Sequence, residues 1–266
     1  MIKNIGTVEG NLHEIDFIEK FNNNKKDYRN YFLKLGIIDY KNYWLVRVTT
    51  TQYSTLSKRK VSTRADAYLI SCQEELSDVV NKNNGYLDEK ILSSGKYDYK
   101  PVLYSGISIK LPSSNYQILK LTPNSFYALL GSFELGAGAS LYCSKYEELY
   151  KNKNLIEGWK TTKAKMNNYF INLGLLKEEI NFCENRNECE KIKIFSNKII
   201  SQMICDCEIL KRKIFNGETL YMEPYTAWYI TFGKELKELS FIPFNVTTGS
   251  GRSREDYTIV LKPSNR

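Results

Sequence analysis

The chain has 266 residues, 42% of them hydrophobic, with 20 tyrosines and 12 phenylalanines. That is enough apolar surface for a sizeable core, and it excludes a disordered chain. Thirty-eight basic residues against 30 acidic ones leave a net charge of +8. This excess favours a polyanionic partner, because phosphates neutralised by Lys or Arg release counterions. With a single histidine, His13, metal centres built on several histidines, and a Ser-His-Asp triad with further His ligands, fit poorly. No Walker-type or dinucleotide glycine loop is present, so ATP-driven chemistry is not indicated.

In chain order, the apolar spacing predicts an amphipathic helix over 11–21 with Asn11 as N-cap, and a second helix over 26–35 ended by Gly36. Runs of β-branched and aromatic residues predict strands over 43–50, 66–72, 102–111 and 116–121. Thr122-Pro123 opens a helix to 134 with the apolar stripe Phe126, Leu129, Leu130 and Phe133. Residues 155–215 read as mostly helical, and strands return over 239–246 and 257–261. With no repeat or linker, the pattern predicts one α/β domain, a central mixed sheet flanked by helices. Its core would be 1–145; residues 146–266 would add a largely helical region plus C-terminal strands for DNA recognition or dimerisation. The start of the chain lacks a signal-peptide apolar region, and the densest apolar run, 126–133, is too short to span a bilayer. A cytoplasmic address with reduced cysteines and no membrane partner is expected.

Positions i and i+2 of a strand face the same way, so Ser108 and Lys110 share one face while Ile107, Ile109 and Leu111 take the other. A half-buried strand with its polar face in water would show the same pattern. Asp66 opens the apolar strand Ala67-Tyr68-Leu69-Ile70. On the first helix Glu14 precedes Phe17, Ile18 and Phe21 by three, four and seven residues, which places it on the stripe of Leu12, Ile15, Phe17, Ile18 and Phe21; Glu19 points away. A carboxylate facing a core needs an ion pair or a bound cation. His13 falls on the polar side, as a surface residue.

A helix with an inward Glu, then a strand, a strand beginning at Asp, a strand ending in x-x-Lys and a helix resembles the PD-(D/E)XK nuclease superfamily, and within it type II restriction endonucleases. The resemblance covers mainly residues 11–143. It implies Mg²⁺-dependent cleavage of double-stranded DNA at a short sequence, usually by a homodimer with a cognate DNA methyltransferase as genetic partner. Carried over, Asp66 would bind the metal and Lys110 would be the catalytic lysine. Ala65 stands where the family has Pro, and Ser108 where it has its second acid. Glu14 or Glu134, the latter on the 123–134 helix, would then complete the metal site. The text Asp88-Glu89-Lys90 is a competing match, with Asp88 as the second acid in place of Ser108 and Lys90 in place of Lys110 beside Asp66, although its neighbours suit a helix or loop better than a strand. Repair or mobile-element nucleases share this superfamily, and a non-catalytic basic nucleic-acid-binding protein is the alternative from outside it.

Basic residues cluster before Asp66, at Lys58, Arg59, Lys60 and Arg64, and again at Arg252 and Arg254 in the glycine-containing stretch 247–254. These are the candidates for contacts to phosphates or guanine edges, the second stretch reading equally as a solvated connection. Cys183, Cys189, Cys205 and Cys207 have poor spacing for zinc, since residues two apart on a helix over 198–215 diverge. Cys72 and Cys143 read as core, and Trp44, Trp159 and Trp228 as packing residues.

Overall fold

The computed structural model describes residues 5–48, 63–87, 97–112, 116–233 and 235–264. Lys58, Arg59 and Lys60, and the competing pair Asp88 and Lys90, lie outside the described residues. The strands in chain order are β1 (Tyr43–Arg47), β2 (Ala67–Cys72), β3 (Tyr99–Pro101), β4 (Ile107–Ile109), β5 (Leu119–Leu121), β6 (Tyr229–Thr231), β7 (Leu236–Glu238), β8 (Phe244–Thr248) and β9 (Ile259–Pro263). The α-helices are α1 (Ile5–Asn23), α2 (Arg29–Lys34), α3 (Ser77–Lys82), α4 (Pro123–Leu130), α5 (Phe133–Ser140), α6 (Asn152–Gly158), α7 (Lys163–Asn172), α8 (Arg186–Asp206) and α9 (Glu208–Phe215). They build a mixed α/β fold, with helices around a mixed sheet.

The chain folds as two units, one of Met1–Asn115 with Arg212–Ile242, the other of Tyr116–Lys211 with Pro243–Arg266. Their seams differ from the one drawn near residue 145, because strands late in the sequence return to each sheet. In the first unit the sheet order is β1-β2-β4-β6-β7, with β3 also pairing β2. β1 runs antiparallel to β2, pairing Arg47 with Ala67; β2 meets β4 through Ala67 and Ile107. β4 and β6 run parallel from Ile107 and Tyr229 to Ile109 and Thr231. A parallel pair needs a long crossover, and here the connection carries the stretch 116–211 of the second unit.

β2 and β4 are buried on both faces, which is why they read as near-continuous apolar runs. Ser108 is buried too, so the polar face of β4 is covered rather than solvated. The strand expected over 102–111 is only three residues long: Tyr104 takes a left-handed backbone, and Tyr99–Pro101 pairs separately. α1 starts at Ile5, so Asn11 is an interior helical residue and not its cap. Nothing in 5–10 stops the helix, since the stretch lacks proline. Phe17, Ile18 and Phe21 are buried as the stripe predicts, whereas Leu12 is 62% exposed. A 3₁₀ turn (Lys25–Tyr28) precedes α2, and Gly36 ends this segment at φ +74°.

In the second unit the antiparallel sheet β5-β9-β8 packs with the helices of that unit. Thr122 caps α4 through Ser125 N, with Pro123 in the first turn, as the sequence predicts. The helix expected to run to 134 stops at Gly131, whose φ of +77° closes α4, and Ser132 caps a new helix, α5. α5 is built of small residues because bulky neighbours approach it: a Cβ on Gly136 would lie 2.2 Å from the Trp159 ring. α8 packs across α5. Cys207 is extended and separates α8 from α9, interrupting the helix expected over 198–215. All six cysteines are free, with Cys72 and Cys143 buried. No helix among the described residues is long and apolar enough to cross a membrane.

Candidate functional site

Asp66 stands at the entrance to β2, fixed on both sides by backbone pairing. Its N–H donates to Ile107 O at 2.9 Å, and its carbonyl accepts from Val48 N at 3.0 Å. Lys110 follows β4 directly, and its N–H donates to Thr231 O at 2.9 Å, so the parallel neighbour β6 sets where its side chain leaves the sheet. The two side chains meet: Lys110 Nζ donates to Asp66 Oδ2 at 2.8 Å. The same oxygen accepts from Ile109 N at 2.8 Å and from Ser108 Oγ at 3.2 Å. Ser108 and Lys110 therefore share a face, as two-residue spacing requires. Both members of the ion pair remain reachable from solvent, at 24% exposure for the Lys110 side chain and 25% for Asp66.

Glu14 comes from α1, which packs against β1. Its Oε2 accepts from Arg47 Nε at 2.7 Å and lies 2.6 Å from Arg47 Nη2 in the ion pair. Burial, the largest influence, pushes the Glu14 carboxyl above its ordinary range, and the nearby Asp66 charge adds to that rise. Arg47 and then Lys110 pull it back. Glu14 thus lies within the electrostatic reach of both Asp66 and Lys110.

Arg47 is the residue that sequence reasoning missed. It ends β1 as Lys110 ends the β4 run, a charge closing an apolar strand, and that was the available signal. Its side chain is only 5% exposed. Nη2 also donates to Asn11 Oδ1 at 2.6 Å, and the guanidinium lies 4.9 Å from the Tyr86 ring centroid.

The remaining predicted residues are placed elsewhere or otherwise engaged. Glu134 belongs to the second unit, in the first turn of α5, where it accepts from Thr161 Oγ1 at 2.7 Å and Ser132 Oγ at 3.2 Å. Arg64 donates to the carbonyls of Phe215 and Ile214 at 3.2 and 3.4 Å, closing the C-terminus of α9. Arg252 does the same for α5: Nη1 donates to Ser140 O at 2.9 Å, and the guanidinium sits 3.8 Å from the Tyr142 ring centroid. It lies in a 3₁₀ turn (Ser250–Arg254) of which Arg254 is an exposed member. His13 is half-buried rather than on the surface, and its Nε2 is covered without a partner among the described residues.

Among the described residues no three His, Cys, Asp or Glu side chains cluster as a metal site would. Asp66 and Glu14 are instead two carboxylates, each engaged through one oxygen. No protein-family model, curated protein or solved structure matches this chain.

Proposed function

We propose that this chain is a Mg²⁺-dependent, sequence-specific endonuclease of double-stranded DNA, of the type II restriction kind within the PD-(D/E)XK superfamily. One observation carries the reading: Asp66 and Lys110, 44 positions apart, form a partly exposed 2.8 Å pair within electrostatic reach of the Glu14 carboxylate. A raised carboxyl beside a charge pair kept open to solvent supports a chemical role over a purely structural one.

The donor set suits Mg²⁺. Asp66 Oδ1 and Glu14 Oε1 accept no hydrogen bond among the described residues, while Oδ2 and Oε2 are occupied. Mg²⁺ takes hard oxygen ligands and is commonly held by one or two carboxylates, with waters and substrate phosphate completing the shell. Bound by Asp66 and Glu14, it would neutralise charge at the phosphate and acidify a water. The chain's own groups do the rest. Ser108 Oγ and Ile109 N–H fix the Asp66 carboxylate by one oxygen and leave the other for the cation. Lys110 Nζ, with three N–H donors, turns from Asp66 to orient the attacking water and to stabilise charge on the phosphate oxygens. The water would lose a proton to solvent as its oxygen attacks phosphorus, the P–O3′ bond would break, and the 3′-oxygen would leave taking a proton from solvent.

The +8 charge supports a DNA partner. Cutting both strands at one sequence implies a two-fold homodimer, and a restriction role implies a cognate methyltransferase and a cytoplasmic setting. The test is incubation with long mixed-sequence DNA in Mg²⁺ or EDTA, with Lys110→Ala and Lys90→Ala alongside. The expected result is discrete Mg²⁺-dependent fragments that Lys110→Ala abolishes and Lys90→Ala retains. Retarded but uncut DNA across many sequences and divalent ions would identify a binding protein instead.

A further inference from the structure

We infer that Arg47 is a positioning residue for the cation site: it grips Glu14 by one carboxylate oxygen and thereby presents the other towards Asp66's cation. The inference rests on Glu14 and Asp66 being the ligands, as proposed above.

Two carboxylates close enough to influence each other repel, and Glu14 has somewhere to go, because 20% of its side chain is exposed. A flexible side chain with that freedom rotates towards water unless something holds it. Arg47 is the holder. Its Nε donates to Oε2 at 2.7 Å and its Nη2 lies 2.6 Å from the same oxygen, so the grip leaves Oε1 without a hydrogen bond among the described residues. The guanidinium is itself immobile. Its backbone pairs in β1 with Ala67, the residue after Asp66, and its N–H donates to Gly85 O at 2.7 Å. Asn11 Oδ1 takes Nη2, and the Tyr86 ring lies beside the guanidinium. The backbone that places Asp66 therefore also places the clamp on Glu14. A lysine could supply the charge but not two N–H groups in a fixed fork.

An ion pair that merely fastened α1 to β1 would contain the same bonds, so the test must separate orientation from adhesion. Mn²⁺ alone is titrated calorimetrically into the full chain, without DNA, for the wild type, Arg47→Lys, Arg47→Met, Glu14→Gln and the double variant Glu14→Gln/Arg47→Met. Removing a partner that orients a ligand costs about 10- to 100-fold in metal affinity. Arg47→Met is expected to weaken Mn²⁺ binding about tenfold or more, and Arg47→Lys by less. In the Glu14→Gln background Arg47→Met is expected to change nothing further. Asn11→Ala, which loosens the arginine without emptying its site, gives the same direction of change if Arg47→Met does not fold. Equal weakening by Arg47→Met with and without Glu14, or unchanged affinity alongside a lowered melting temperature, would overturn the positioning role and leave the site reading standing. A wild type that takes up no Mn²⁺ would sink the site reading and this inference with it.

Discussion

Lys110→Met is expected to lower the single-turnover rate of Mg²⁺-dependent DNA cleavage by about 10²–10³-fold, the cost of removing one aimed donor from developing charge. The fold should tolerate the change. Methionine keeps most of the stem, and the lost ion pair is partly exposed at 24% and 25%, so screening limits its stabilising effect to about 1 kcal/mol or less. Asp66 still accepts from Ser108 Oγ and Ile109 N, which keeps the carboxylate oriented. A large fall in rate with an unchanged melting temperature therefore assigns Lys110 to the reaction. A variant within a fewfold of wild type at saturating Mg²⁺ would remove Lys110 from the mechanism and return attention to Lys90.

Gly106→Ala should be the most damaging single methyl in the first unit. A Cβ there would lie 1.7 Å from the Thr226 carbonyl oxygen and 3.0 Å from Ala65 Cβ. The obstacle is backbone, and it is backbone that the sheet needs. Gly106 O accepts from Trp228 N at 2.8 Å and Tyr229 N at 3.0 Å, which starts the parallel pairing of β4 with β6. Relief requires the two strands to separate, so a cost of about 3 kcal/mol or more is expected, at the upper end for overpacking. A lowered urea midpoint would register it. Cleavage should fall as well, because β6 supplies the Thr231 carbonyl that holds Lys110 N. An unchanged midpoint would mean that the β4–β6 junction is looser than these contacts describe.

Much of this arrangement is written in local pattern, and the parts that are not share a physical cause. Ser108 and Lys110 converge on Asp66 because period two is enforced by strand geometry wherever the strand lies. Glu14 reaches the same region because a 3.6-residue period places it with Phe17, Ile18 and Phe21. Thr122-Pro123 opens a helix because capping is local chemistry. β6 is three residues long and has no period of its own; it is a strand because β4 lies beside it. The interleaving of the two units likewise depends on pairing between distant stretches. Asn11 is an N-cap residue by type, yet the helix passes through it and Arg47 uses its side chain instead. Gly131 followed by Ser132 did carry a stop and a restart, which an unbroken apolar stripe concealed. Arg252 and Arg64 show the limit of reading charge: both stand in basic stretches, and both spend their guanidinium on helix carbonyls.

If Asp66, with Glu14 and Lys110, forms a metal-dependent phosphodiesterase centre, Asp66→Asn is the substitution that exposes it most directly. The change keeps the size of the side chain and an oxygen for Ile109 N but removes the charge. Wild type and variant are compared on the same long DNA, with Mg²⁺ present, alongside melting temperature and DNA retardation. The expected result is discrete fragments from the wild type and none from a variant that still folds and still retards DNA. Cleavage by Asp66→Asn at the wild-type rate, or a wild type that cuts nothing in any divalent ion, would contradict a metal-dependent centre at Asp66.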